Sequence, residues 1–272
     1  MNWIDAHSHI TDERAGQLAE LLQAARARGI RYHLQGGVGP EDWARQLLAA
    51  KSHPEVLPAF GLHPYWVADH GAEDCEVALN LLARSLHQAA ILGETGLDFR
   101  EHILMSTKRE STQESPEEVK ARQLDYFEAQ LELAEFQGKP VCLHVVRAFE
   151  EAVKMLSFHE GRIKGFFHSF TGSSEQAKIL EGMGFLISVG GAICARPKKL
   201  VKAVQEMDLD FLLLETDSPD QKPFDWPEEL NQPLSLLNVA QTVAEIRGLT
   251  LEEVLDRSKS NLQRLIGSRW FL

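Results

Sequence analysis

The chain has 272 residues, of which 44% are hydrophobic and 25% charged, a globular composition with enough apolar material for a buried core. Its formal net charge of −12 argues against a protein that holds long duplexes on a basic face. A phosphodiester substrate is compatible with this charge only where bound cations make the site locally positive.

The three cysteines are scattered and form no C-x-x-C pair, which argues against a disulfide framework and against a thiolate zinc site. The N-terminal sequence lacks a signal-peptide pattern, and no apolar stretch approaches the ~18 residues of a membrane span. We therefore expect a soluble, cytoplasmic protein that neither enters a membrane nor needs an obligate protein partner.

Short β-type runs alternate with longer amphipathic patterns along the whole sequence, which indicates repeated βα units around a parallel sheet. Several of the runs are continuously apolar, as in strands that are buried on both faces. The predicted strands are Asn2–His7, Ile30–Gln35, Val56–Gly61, Ala90–Glu94, Pro140–His144, Lys164–His168, Gly184–Val189 and Asp210–Glu215. Eight strands in alternation favour an α/β fold of the (β/α)8 TIM-barrel class, with residues 1–272 as a single domain. The polar stretch 100–116 has no clear period and predicts a long surface loop after the fourth strand.

The first predicted strand ends in Asp5-Ala6-His7-Ser8-His9. Side chains at i and i+2 of a strand point the same way, so His7 and His9 can bind one ion from a single edge. Asp5 shares this face, and we expect it to orient one of the two imidazoles through its second ring nitrogen.

Further ligand-type residues stand at the ends of other predicted strands. His144 and His168 each close a buried apolar run, Glu94 closes AILGE, and Asp217 follows FLLLET. Each residue alone fits a hydrogen-bonded or ion-paired structural role. Together, however, four histidines and two carboxylates fall at the same end of five predicted strands, and in a closed barrel these ends converge.

Mixed imidazole and carboxylate ligands suit Zn, Mn or Co, and suit Mg less well because it prefers oxygen. Six ligands exceed what one tetrahedral ion needs. The pattern therefore predicts two divalent metal ions with a shared carboxylate, for which Glu94 is the best placed.

The same segments resemble the TatD family of metal-dependent deoxyribonucleases, within the amidohydrolase-like barrels. The resemblance runs from DAHSHI to SNLQRLIG and carries these motifs in order: GLHP at Gly61–Pro64, GETGLD at Gly93–Asp98, QLELA at Gln130–Ala134, LHVVRAFEEA at Leu143–Ala152, FHSFTGS at Phe167–Ser173, ETDSP at Glu215–Pro219 and NQP at Asn231–Pro233.

The resemblance implies a role for each matching residue. His7, His9 and Asp217 would hold one ion, His144 and His168 the other, and Glu94 would bridge them. His63, in GLHP, would face the scissile phosphate. The implied activity is metal-dependent phosphodiester hydrolysis, chiefly as a 3′→5′ exodeoxyribonuclease on DNA ends or short single strands. Asp217, Glu94 and His63 are then the predicted catalytic residues, with Asp217 also accepting the proton of the attacking water.

Three departures from the family pattern stand out. Arg147 follows His144 one position later than in the family's H-S-R, and it fits either a phosphate contact or a surface ion pair. The loop PFDWPEELNQP is acidic where the family often has arginines, and GETG replaces the usual GEIG.

Two other functions remain open: a small-molecule amide, lactone or phosphoester hydrolase of the same barrel class, and a metal-bound binding protein without turnover. The acidic charge favours the first of these somewhat, whereas the motif set favours the nuclease.

The remaining histidines and several charged residues are predicted to be structural. We expect the histidines to face solvent, and they are His33, His53, His70, His87, His102 and His159. Glu215 is predicted to pair locally. Arg196, Lys198 and Lys199 fit either a phosphate contact or a solvated helix start.

Overall fold

The computed structural model describes residues 1–105 and 114–271. Its strands are β1 (Trp3–Ser8), β2 (Ile30–Gln35), β3 (Val56–Leu57), β4 (Ala59–Phe60), β5 (Ile91–Asp98), β6 (Val141–Val146), β7 (Gly165–Phe167), β8 (Leu186–Val189) and β9 (Leu212–Leu214). Its α-helices are α1 (Leu18–Ala27), α2 (Pro40–Ser52), α3 (Pro64–Asp69), α4 (Ala72–Ser85), α5 (Glu101–Leu104), α6 (Pro116–Gln137), α7 (Phe149–Ser157), α8 (Ser174–Gly182), α9 (Lys198–Glu206), α10 (Leu236–Arg247) and α11 (Leu251–Ile266). Strands and helices thus alternate as the sequence predicts.

The chain forms two compact units. The first comprises Met1–Gln35, Arg45–Leu57 and Phe166–Leu272, and the second comprises Gly36–Ala44 and Pro58–Gly165.

In the first unit, β2 pairs in parallel with both β1 and β3, and β8 pairs in parallel with both β7 and β9. The segment after β9 returns to β1, where the Asp217 amide donates to the His7 carbonyl at 3.0 Å and the His9 amide donates to the Ser218 carbonyl at 2.7 Å. Helix α11 packs on β1 and β9. The strand residues of β1, β8 and β9 are all buried, which agrees with the apolar runs of β8 and β9.

In the second unit, β5 pairs in parallel with β4 and β6. Helix α6 packs on β5, and a capping box between Ser115 and Glu118 starts this helix. The helix ends at Gly138, whose φ of 62° is the left-handed conformation that glycine adopts without strain. Gly138 therefore serves as the C-cap of α6.

Two glycines let β5 and β6 approach closely around Glu94. Gly93 and Gly96 have φ of 154° and 141°, and a Cβ on Gly96 would lie 2.0 Å from the carbonyl oxygen of His144. Only glycine fits this position, because any side chain would collide with backbone. The GETG sequence thus sets the distance between the strands that carry Glu94 and His144.

Three predicted boundaries need correction. The third predicted strand is split into β3 and β4 at Pro58, which has no amide hydrogen for a ladder bond. The fourth predicted strand, β5, continues to Asp98, because the segment ETGLD pairs with β6. The predicted loop 100–116 contains α5, and its residues 106–113 lie outside the described residues. Within residues 1–105 and 114–271, no helix is long and apolar enough to cross a membrane.

Candidate metal centre

The first unit brings His7, His9 and Asp217 together. The Nε2 atoms of His7 and His9 each lie 3.4 Å from Asp217 Oδ1, and the three ligand atoms lie within 4.8 Å of one another. His7 is fully buried and Asp217 is 6% exposed. Two imidazoles and one carboxylate at this spacing fit a divalent cation, because these are the atoms that Zn, Mn and Co bind in proteins.

Asp5 fixes the backbone of this cluster. Its carboxylate accepts hydrogen bonds from the Thr216 amide at 2.9 Å, the Thr216 hydroxyl at 2.6 Å and the His7 amide at 3.4 Å. The orientation of an imidazole ring by Asp5 stays a prediction. Burial raises the pKa of Asp5 to about 8, against the lowering effect of these hydrogen bonds.

Asp217 is held as an anion. Burial alone would raise its pKa, but hydrogen bonds from His7 and His9 and the charge of nearby imidazoles outweigh burial, so the pKa of Asp217 lies well below its ordinary value. The Gln221 side-chain amide also donates to Asp217 Oδ2. Asp217 itself has a φ of 55°, a rare conformation outside glycine, which turns its carboxylate out of the line of β9.

His168 lies in the same unit, beside His7. Their ring centroids are 4.3 Å apart, and His168 Nδ1 lies 3.7 Å from Glu215 Oε1. Glu215 Oε1 also accepts the Ser169 amide at 2.5 Å, so the predicted local pairing of Glu215 is confirmed.

The second unit brings His63, Glu94 and His144 together. Glu94 Oε2 lies 3.7 Å from His63 Nε2 and 3.5 Å from His144 Nδ1, and the two nitrogens are 3.3 Å apart. All three side chains are at least nine-tenths buried. A buried carboxylate between imidazoles is again a donor set that suits a divalent cation.

His63 caps α3 and its ring is fixed at one end. Its Nδ1 accepts a hydrogen bond from the Tyr65 amide at 3.0 Å. In neutral imidazole the other nitrogen then carries the proton, so Nε2 is a hydrogen-bond donor without a lone pair for a cation. This favours the predicted role of His63 as a phosphate contact over a role as a ligand.

Four features of the structure were missed by the sequence analysis. Asp98 and Tyr65 contact the second cluster, and the sequence motifs do not mark either residue as a contact. His33 is fully buried in β2, where burial lowers its pKa to about 3, so the prediction that it faces solvent is wrong.

His159 is also buried. Its two nitrogens face Glu135 Oε2 at 2.7 Å and Glu128 Oε1 at 3.0 Å, and the hydrogen bond from His159 lowers the pKa of Glu135. The spacing of these glutamates, seven residues apart on one face of α6, is the signal that could have found this cluster.

Comparison with known proteins agrees with this donor chemistry. The family described as TatD related DNase matches residues 4–267. The chain belongs to this family. A Bacillus subtilis relative named as the uncharacterized metal-dependent hydrolase YabD is 29% identical, over 96% of this chain and 97% of the relative. An Erwinia tasmaniensis relative named as the 3'-5' ssDNA/RNA exonuclease TatD is 30% identical, over 90% of this chain and 92% of the relative.

The fold is also that of a solved relative. The crystal structure of the TatD homologue YjjV from Escherichia coli has a TM-score of 0.84 to this chain at 28% identity, and the match covers 97% of each chain. The predicted α/β barrel class is thereby confirmed, as is the prediction of a metal-dependent hydrolase. The buried imidazole–carboxylate clusters indicate divalent metal binding. The division of ligands between two ions, the bridging role of Glu94, the place of His168 beside His144 and the single-domain organisation stay predictions.

Proposed function

We propose that this hydrolase is a divalent-metal-dependent phosphodiesterase, and specifically a 3′→5′ exodeoxyribonuclease that acts on DNA ends or short single strands. The observation that carries the proposal is the His63–Glu94–His144 cluster. In this cluster the hydrogen-bond donor Nε2 of His63 lies beside two side chains, Glu94 and His144, that can bind a cation. A phosphoryl oxygen is an acceptor that such a donor recognises. Relatives named as 3'-5' ssDNA/RNA exonucleases support the polarity and the substrate.

We infer that two divalent cations act in this enzyme, one held by His7, His9 and Asp217 and the other held with Glu94 and His144. Bound cations of this kind supply Lewis-acid chemistry, since they acidify water and offset the charge that builds on the phosphoryl oxygens. The choice among Mg, Mn, Zn and Co follows from the ligands: the imidazoles of His7, His9 and His144 favour Mn, Co or Zn over Mg.

The protein's own groups have distinct tasks in this proposal. His63 donates its Nε2 hydrogen to a phosphoryl oxygen and thereby orients the scissile group. The neighbouring imidazoles keep Asp217 ionised, which suits it to holding a cation. We also assign to Asp217 the task of receiving the proton that the attacking water loses and passing it on, because its carboxylate lies at the cation site. Gln221 holds the Asp217 carboxylate in place by donating to its second oxygen.

A second function, hydrolysis of a small amide, lactone or phosphoester, is favoured by one observation. The net charge is −12, and the loop after β9 carries Asp225, Glu228 and Glu229, which repel a long polyanion. The same donor chemistry serves either substrate, so a direct assay has to decide between them.

The test is digestion of 5′-end-labelled single-stranded DNA, run beside a panel of amide, lactone and phosphoester substrates. We expect a ladder of products shortened from the 3′ end, complete loss of hydrolysis after chelation, and better recovery with Mn or Co than with Mg. Full activity in the chelated enzyme would contradict metal dependence. Turnover of the small substrates without cleavage of DNA would replace the nuclease by the second function.

A further inference from the structure

Asp98, at the end of β5, has a buried carboxylate that directly contacts His144. Asp98 Oδ2 lies 3.1 Å from His144 Nε2, and the side chain of Asp98 is fully buried. The side chain of Gln123 in α6 binds the main chain of Asp98 with two hydrogen bonds. Gln123 Oε1 accepts the main-chain N–H of Asp98 at 2.8 Å, and Gln123 Nε2 donates to the Asp98 carbonyl at 3.1 Å. The position of this carboxylate is thus set by the sheet and by α6 together.

Arg100 holds the same carboxylate from the other side. Its Nε lies 3.0 Å from each Asp98 oxygen, its Nη2 donates to Oδ2 at 2.6 Å, and its main-chain amide donates to Oδ1 at 3.0 Å. A forked guanidinium fixes both the plane and the charge of a carboxylate. The Arg100 guanidinium also lies 5.3 Å over the ring of Tyr65, which packs edge-on against His63 at 4.4 Å.

The direction of the hydrogen bonds assigns the protons on both imidazoles. An ionised carboxylate only accepts, so His144 Nε2 carries a hydrogen toward Asp98 and His144 Nδ1 keeps its lone pair. At the other end the Tyr65 amide donates to His63 Nδ1, so His63 Nε2 carries the hydrogen. The two facing atoms, 3.3 Å apart, are therefore one donor and one acceptor.

We propose that Asp98, braced by Arg100, is a positioning residue that sets His144 as a cation ligand through Nδ1. It does so by holding the proton of His144 on Nε2, and the same chain of contacts leaves His63 as a donor. An imidazole ligand whose second nitrogen donates to a carboxylate is better oriented and more basic, typically by an effect of 10–100-fold on metal affinity. This inference deepens the proposed function and rests on it only for the identity of the reaction.

The first test is Asp98→Asn, which keeps the size of the side chain and removes its charge. We expect binding of Co²⁺ or Mn²⁺, measured by calorimetric titration of the chelator-treated protein, to weaken by about 10–100-fold. Asp98→Glu should restore part of the affinity because it restores the acceptor charge. The matched control is Asp125→Asn, an exposed aspartate of α6, which should bind as the wild type does.

A second readout needs no cation and no substrate. ¹⁵N NMR of histidine-labelled, chelator-treated protein should show His144 protonated on Nε2 in the wild type, and a mixture of both tautomers in Asp98→Asn. If Asp98 had only a structural role, the folded Asp98→Asn protein would not show a shift in the tautomer of His144. If Asp98→Asn proves unfolded, Arg100→Lys serves instead, with a smaller shift of the tautomer in the same direction and a loss of affinity of about 10-fold or less.

Unchanged affinity and an unchanged His144 tautomer in Asp98→Asn would overturn the inference. Failure of the wild type to cleave DNA would overturn the proposed nuclease, whereas a tautomer shift in Asp98→Asn would still support the positioning role. The two failures are therefore separate.

Discussion

His63 and Asp217 are both buried beside other ligand-type residues, yet their surroundings give them different chemistry. His63 has one nitrogen fixed as an acceptor by the Tyr65 amide, which leaves a donor on the other. Asp217 has both oxygens engaged, one by His7 and His9 and one by Gln221, and it stays an anion. In the proposed mechanism, the first residue can therefore be removed without loss of a cation ligand, whereas the second cannot.

At the residue scale we predict that His63→Ala keeps the metal content and lowers turnover by about 10²-fold, the effect of one lost transition-state donor. Asp217→Asn should lose metal occupancy and turnover together, because it removes a ligand charge and the proton acceptor. Elemental analysis beside the DNA assay measures both quantities. His87→Ala, at an exposed histidine of the second unit, should change neither. Loss of metal in His63→Ala, or wild-type turnover in Asp217→Asn, would require these roles to be reassigned.

Strand β5 positions the second cluster through its glycines as well as through its apolar residues. Glu94 lies between Gly93 and Gly96, and β6 passes so close to Gly96 that the His144 carbonyl occupies the space of a side chain. The identity of residue 96 is thus dictated by the neighbouring strand.

At the element scale we predict that Gly96→Ala destabilises the fold by about 2 kcal/mol or more, from left-handed strain and the backbone collision. This corresponds to a Tm lower by roughly 4–8 °C. The control is Gly182→Ala at the exposed end of α8, where a Cβ meets nothing within 4 Å, and its Tm should be unchanged or slightly raised. Thermal unfolding followed by circular dichroism makes the comparison, and equal Tm values for the two variants would contradict the packing described for β5 and β6.

Strand β5 also shows which parts of the fold and of the site can be predicted from the sequence. The apolar run before Glu94 was enough to predict the strand, because it follows from burial. The carboxylate at its end was enough to single out Glu94, whose role as a ligand stays a prediction. The continuation of β5 to Asp98 could not be predicted, since the sequence TGLD is typical of a turn unless the close approach of β6 is known. Asp98 and Arg100 were missed for the same reason: their partner His144 lies 46 residues from Asp98, and only the register of the strands brings them together.

The charge of the whole molecule limits how it can hold a polyanion. Three arginines that follow strand ends are each engaged by carboxylates: Arg14 by Asp12 and Asp220, Arg100 by Asp98, and Arg196 by Glu245. Together with a net charge of −12, these ion pairs reduce the positive charge that is available to a long polyanion. We therefore expect the proposed nuclease to recognise its substrate at the scissile phosphate and at few phosphates beyond it.

At the scale of the molecule we therefore predict a weak salt dependence of single-stranded DNA cleavage. Because each phosphate contact contributes about −0.7 to the slope of log affinity against log salt for single strands, two contacts give a slope of roughly −1.4. Between about 50 and 200 mM salt, kcat/KM should then fall by less than about 10-fold. A small synthetic phosphodiester, measured in parallel, separates any effect of salt on the cations from its effect on strand binding. Short and long oligonucleotides should be cleaved at similar rates per 3′ end, because the net charge of −12 gives the added phosphates little attraction. A slope steeper than about −3, or a strong preference for long strands, would instead require a basic track that the ion-paired arginines do not provide.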